Sequence, residues 1–163
     1  MSQREIDSLG AADLQIVGLR IWVHGRQFPD STDYWDGNWL RITAYCMVGE
    51  SRVRVHGSVV HLSEIAGLLR GCESLSETLA GRTGLDSMEQ NLKLELIAKK
   101  LGRVAVDIQI TPEPMRESHR FRDEIDQTNL PAIIAACARI LEKYPLRGRP
   151  QLQARGGAPG LAH

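Results

Sequence analysis

The sequence is short of the residues that announce a chemistry. Its three cysteines, Cys46, Cys72 and Cys137, are odd in number, far apart and never at CxxC spacing, which leaves a disulfide framework or a cysteine-rich zinc site without support. Reduced thiols in the core are the expected state. No GxSxG elbow, GxGxxG turn or P-loop is present, and the glycine pair Gly156-Gly157 follows no strand, so neither nucleophilic catalysis nor nucleotide binding has a motif to rest on. No cofactor is expected. No apolar run approaches the roughly 20 residues that a bilayer-spanning helix needs, and residues 1–10 are polar and charged, unlike the apolar stretch of a signal peptide. The cytoplasm is the expected compartment, without a membrane partner. An excess of either charge is also missing: 20 Lys and Arg balance 20 Asp and Glu, which argues against a nucleic-acid binder that neutralises many phosphates. Arg147, Arg149 and Arg155 lie in a C-terminal stretch without acids; setting those three aside leaves 17 basic against 20 acidic residues up to position 145. A charged partner of that body is expected to be basic.

What is present suits one globular domain: 163 residues, 42% of them hydrophobic and 25% charged. Residues 1–12 read as a flexible N-terminus, 13–145 as the domain and 146–163, poor in apolar side chains, as a disordered tail. From Asp13 to Val23 apolar residues alternate with a change of phase beside Gly18, which reads as one long strand with a bulge. A loop follows over 25–38. Leu40, Ile42, Ala44, Cys46 and Val48 form one apolar row, Gly49-Glu50 a tight turn, and Val53, Val55 and Val59 the returning row of a hairpin over Trp39 to Val60. The period then lengthens: Leu62, Ile65, Leu68, Leu69 and Cys72 mark a helix with Ser63 as N-cap and Gly71 near its end. Residues 73–87 read as a partly helical connection rather than a strand. Leu92, Leu94 and Leu96 pair with Val104, Val106, Ile108 and Ile110 in a second hairpin around Lys99 to Gly102. A more polar strand over Ser118 to Asp126 faces the core with Phe121 and Ile125. A helix over Leu130 to Tyr144, capped by Thr128 or Asn129, ends at Pro145. The fold class is α+β: an antiparallel sheet of about six strands, or a partly rolled barrel, with one inserted helix and one C-terminal helix packed on it.

Candidate sites are few. Asp30, Asp33 and Asp36 cluster in a loop, as calcium ligands do, but Thr32 and Tyr34 occupy positions that an EF-hand loop would need for ligands. A solvated turn with Asx-type bonds accounts for them, and no metal site is expected. His24, His56, His61 and His119 form no HxH or HExxH pattern, and His56 and His61 fall on opposite parities of one strand, which points them to opposite faces if Gly57 makes no bulge. Tyr34, Trp35 and Trp39 bracket the Asp36-Gly37 turn in a chain with only 5% aromatic residues. They either pack as a small core beneath the loop or form an exposed patch that anchors a protein partner.

The stretch Gln27-Phe28-Pro29-Asp30, with Tyr34-Trp35-Asp36-Gly37-Asn38-Trp39-Leu40 after it, resembles the opening of the WapI-type bacterial immunity proteins and their relatives. Met88-Glu89-Gln90-Asn91-Leu92, with Leu94 and Leu96, is similar to that family's second shared stretch, and a closing helix after Ile125-Asp126-Gln127 is similar in place. The resemblance covers roughly residues 13–145. It implies a cytoplasmic, non-catalytic protein that binds and neutralises the toxin domain of a wall-associated or contact-dependent toxin, and it carries over no toxin-contacting residue. The basic tail and the segment around 73–87 depart from the pattern. Asp30, Asp33, Tyr34, Trp35, Asp36 and Trp39 are the candidate partner-binding residues. Two other readings stay open: a structural or regulatory interaction module, and a metal-assisted hydrolase using the loop carboxylates with His24 or His119.

Overall fold

The computed structural model describes residues 2–150. Two four-stranded antiparallel sheets follow chain order. The first holds β1 (Leu14–Ile16), β2 (Leu19–Arg26), β3 (Trp39–Val48) and β4 (Ser51–His61). The second holds β5 (Arg82–Asp86), β6 (Leu92–Ala98), β7 (Arg103–Ile110) and β8 (Arg120–Asp126). A short helix α1 (Gln3–Ser8) precedes them, α2 (Leu62–Thr78) joins the sheets, and α3 (Leu130–Lys143) closes the chain. The α+β class, the antiparallel pairing and both main helices are as the sequence implies; the strands number eight among the described residues, in two sheets.

One core serves both sheets. Leu40, Ile42, Ala44 and Cys46 turn inward from β3, Leu92, Leu94 and Leu96 from β6, and Val104, Val106, Ile108 and Ile110 from β7. They meet Leu62, Ile65, Leu68 and Cys72 of α2 and Ile133, Cys137 and Ile140 of α3. Period two on the strands and period 3.6 on the helices give each element one apolar side, and each such side chain contributes about 1.5–3 kcal/mol when buried. All three cysteines are buried and free. Burial pushes the thiols of Cys72 and Cys137 up to about 12 and that of Cys46 up to about 11, so they stay protonated.

Five sequence readings change. The phase switch after Ile16 is a hairpin turn, not a bulge, for Ile16 pairs with Leu19 and Val17 takes a φ of 51°. A Cβ on Gly18 would meet the Met47 carbonyl oxygen, so only glycine fits where the turn crosses β3. Helix α2 runs past Gly71 to Thr78, and a strand, β5, follows within the stretch read as a connection. The N-cap of α2 is His61, not Ser63. His56 and His61 share a face, because the register slips at Val59 and places them opposite Thr43 and Trp39. Near the N-terminus, α1 packs Ile6 on Trp22 and Tyr45 of the first sheet's outer face, and the Trp22 indole donates to the Gly10 carbonyl at 3.1 Å. No helix among the described residues is long and apolar enough to cross a membrane.

Candidate functional site

The loop between β2 and β3 is built on its own backbone before anything else touches it. The Asp33 carboxylate accepts the Trp35 and Asp36 N–H groups, each at 2.8 Å, and the Ser31 hydroxyl donates to its other oxygen. Those bonds, the Ser31 one first, hold the Asp33 carboxyl below the usual carboxylate range. The turn delivers a single 3-10 turn at Asp36–Asn38 and the start of β3. Asp30 and Asp36 are exposed on the loop surface. Among the described residues, no group of three or more His, Cys, Asp or Glu side chains is placed to hold a metal ion.

Asn38 ties this loop to the far end of the chain. Its side chain is fully buried, and all four of its bonding positions are used. The amide nitrogen donates to the carbonyls of Tyr34 (2.7 Å) and Arg147 (2.8 Å), while the amide oxygen accepts from the Arg147 N–H (2.9 Å) and the Arg26 guanidinium (3.3 Å). Arg26 also donates to the carbonyls of Gly37 and Pro145, and its guanidinium lies over the Tyr144 ring at 6.0 Å. Arg147 donates in turn to the carbonyls of Pro29 and Ser31. Residues 145–149, where the sequence suggests the tail begins, are thus a strap across the loop. Residues 151–163, the rest of the tail read from the sequence, lie outside the described residues.

His61 organises the aromatics. Its ring lies 5.3 Å from Tyr34, 5.3 Å from Trp39 and 5.8 Å from Trp35, with Tyr34 and Trp35 edge to face at 5.2 Å. Nδ1 accepts the Ser63 N–H and bonds the Ser63 hydroxyl, which leaves Nε2–H to donate to the Tyr34 carbonyl. The Glu64 carboxylate reaches back to the His61 N–H (2.7 Å) and accepts the Met88 N–H (3.0 Å), joining the 87–91 turn to the cluster. The aromatics divide between packing and exposure: Tyr34 and Trp39 are half-buried on His61, and Trp35 is 51% exposed. Phe28, Met88 and Leu146 are also exposed, as are Asp33, Asp36 and Glu89. A groove of about 400 Å³ runs between Asp33, Tyr34 and Trp35 on one wall and Gly148 and Arg149 on the other.

Burial moves the His61 pKa down, and His24 moves the same way through its burial, His56 and Arg41. A folded pKa below the unfolded one means that the unfolded chain binds more protons, so stability is lost as pH falls below about 6.5. Protonation of Nδ1 would also remove the acceptor that caps α2. Melting temperature is expected to drop between pH 7.5 and 5.5, and His61→Asn, which keeps an N-cap acceptor, is expected to flatten that slope. An unchanged slope in the variant would remove His61 as its source.

His24, His56 and His119 do not join this site. His24 Nε2 bonds Thr43 Oγ1 at 2.8 Å, which bonds His56 Nδ1 at 2.9 Å on the outer face of the first sheet; His119 bonds Glu117 at 2.8 Å beside β8. The hydrolase arrangement of loop carboxylates with His24 or His119 is not assembled. Sequence reasoning missed Asn38, Arg26, Arg147 and His61 as organisers, although Asn38 stood inside the shared stretch.

Fold and site together define an α+β domain that presents a backbone-locked aromatic loop at one end. The sequence profile described as the Immunity protein WapI-like family matches residues 11–145, and the chain belongs to that family. No curated protein and no solved structure matches it.

Proposed function

We propose that this protein neutralises a toxin domain by binding it, without catalysis, in the cytoplasm, and that the end carrying Trp35 is the surface it uses. The observation that supports this reading is the exposure of Trp35 on a backbone-locked loop, with its ring backed by those of Tyr34 and the buried His61. Half-exposed rings backed by a buried one lose little conformational entropy on docking, which is how aromatic hot spots concentrate binding energy. Asp30, Asp33 and Asp36 are exposed on the same loop, favouring a basic face on the toxin and steering its approach. Tyr34 and Trp39 set the pose of Trp35 rather than carrying most of the contact.

The charged outer face of the second sheet is a weaker candidate. There Arg82 pairs with Glu95, Lys93 with Asp86, Arg103 with Glu124 and Arg120 with Asp107, so those charges already answer one another.

Trp35→Ala is expected to weaken the complex with the toxin domain encoded beside this gene by about 2 kcal/mol, some thirtyfold in Kd, with little change in melting temperature. Titration calorimetry on the co-expressed pair measures the first and thermal unfolding the second. If the neighbouring gene product forms no complex with the wild-type protein, the toxin-binding reading is lost. If a complex forms and Trp35→Ala leaves it intact, only the surface assignment is lost.

A further inference from the structure

Strand β8 ends the second sheet, with β7 as its only partner strand among the described residues. The Ile110 N–H donates to the His119 carbonyl at 3.1 Å, which sets the alternation of the ladder. Residues 121, 123 and 125 turn their backbone groups toward β7, and residues 120, 122, 124 and 126 turn theirs outward. Two outward N–H groups confirm the phase, since Glu124 donates to the Asp123 carboxylate at 2.7 Å and Asp126 to the Asn129 side chain at 3.1 Å.

Charges on an edge strand normally repel a second edge, because one sign repeats. On β8 the signs are antisymmetric about Asp123: Arg120 and Arg122 precede it, and Glu124 and Asp126 follow it. A second copy laid antiparallel, with its Asp123 opposite this one, sets Arg120 against Asp126, Arg122 against Glu124 and Phe121 against Ile125, each twice by symmetry. In that register outward backbone groups also meet outward backbone groups. A slip of two residues either way brings Arg122 onto Arg122 or Glu124 onto Glu124, and a slip of one breaks the ladder. The remaining edges fit less well: β1 and β5 have three and five residues, and β4 repeats one sign through Arg52 and Arg54 with a register slip at Val59.

We propose that β8 is a self-association edge, through which two copies of this chain join antiparallel about Asp123 and fuse their second sheets. The pairs Arg120–Asp107 and Arg103–Glu124 already hold those side chains along the outer face at 2.7 and 2.6 Å, so the second copy extends existing rows of alternating charge. Phe121 and Ile125, half-buried at the rim of the core, gain apolar cover. Asp123 opposes association: the two carboxylates meet on the axis, and each must release the Glu124 N–H.

Sedimentation of the full chain over a wide concentration range tests this. A salt-sensitive dimer is expected, tightened about tenfold by Asp123→Asn and weakened at least about tenfold by Arg122→Glu; combining Arg122→Glu with Glu124→Arg restores it. Register is read by Asp123→Cys. Residues opposite one another in a non-hydrogen-bonded antiparallel pair lie about 4.5 Å apart at Cα, within disulfide range, and the native cysteines are buried. That variant is expected to cross-link, whereas Arg120→Cys, about 20 Å from its mate, is not. A wild-type monomer at every concentration, a dimer indifferent to Arg122→Glu, or cross-linking at 120 in place of 123 would overturn the proposal.

Discussion

Replacing Asn38 by alanine is expected to cost about 3 kcal/mol and to lower the melting temperature by about 6–12 °C. The amide, itself fully buried, answers four groups: the carbonyls of Tyr34 and Arg147, the Arg147 N–H and the Arg26 guanidinium. Alanine leaves all four behind, and a buried polar group without a partner costs about 1–3 kcal/mol. The total stays below the sum because the strap can peel away and let water in. Arg147→Ala gives the contrast. It removes only the bonds to the Pro29 and Ser31 carbonyls near the surface, keeps the backbone pair with Asn38, and is expected to cost about 1 kcal/mol. Denaturant unfolding measures both, and hydrogen exchange of residues 28–38 locates the loss: fast exchange confined to the loop and the strap is expected for Asn38→Ala. Equal costs for the two variants would mean that the guanidinium, not the amide, holds the loop.

That network also marks where sequence reasoning stops. Asn38 and Arg147 meet across 109 residues, and nothing in the local pattern around Leu146-Arg147-Gly148 distinguishes a strap from loose chain, since neither an apolar row nor a helical stripe is present. The loop's own turn was legible, because Asp33 bonds residues two and three positions on and such bonds are a property of short sequence. Strands β3, β4, β6 and β7 were legible for the same reason, as alternation is local. The turn at Val17-Gly18 and a bulge both reverse the parity of apolar positions, so the pattern alone does not separate them. Strand β5 was hidden because Leu85 is its one fully buried apolar side chain and Gly84 sits where a Cβ would meet the Leu94 carbonyl. The slip at Val59 then carried His61 to the face of His56 and placed a buried imidazole under the aromatic loop. A single irregular residue therefore decided which side chains share the site.

Gly67 and Gly71 lie one turn apart in α2, and alanine at the two positions is expected to act with opposite sign. In a helix interior, glycine to alanine normally gains about 1 kcal/mol, because the unfolded chain loses freedom and the helix loses none. At Gly67 an added Cβ meets no atom within 4 Å, so Gly67→Ala is expected to stabilise by about 0.5–1 kcal/mol. At Gly71 the same methyl would sit 1.7 Å from Thr83 Oγ1 and 2.4 Å from Thr83 Cβ on β5. Both atoms belong to a short branched side chain on a strand paired to β6, so neither can swing aside, and overpacking of this kind costs about 1–3 kcal/mol. Gly71→Val is expected to reach the upper end, since its two added methyls push helix and strand apart along the contact that joins the second sheet to α2. Gly71, which the sequence places near the end of the helix, is a point of close approach between helix and strand. Thr83→Gly combined with Gly71→Ala separates the two explanations. If crowding is the cause, the double variant recovers most of the loss in Gly71→Ala, whereas a helix-ending role at Gly71 would leave the deficit unchanged whatever stands at position 83.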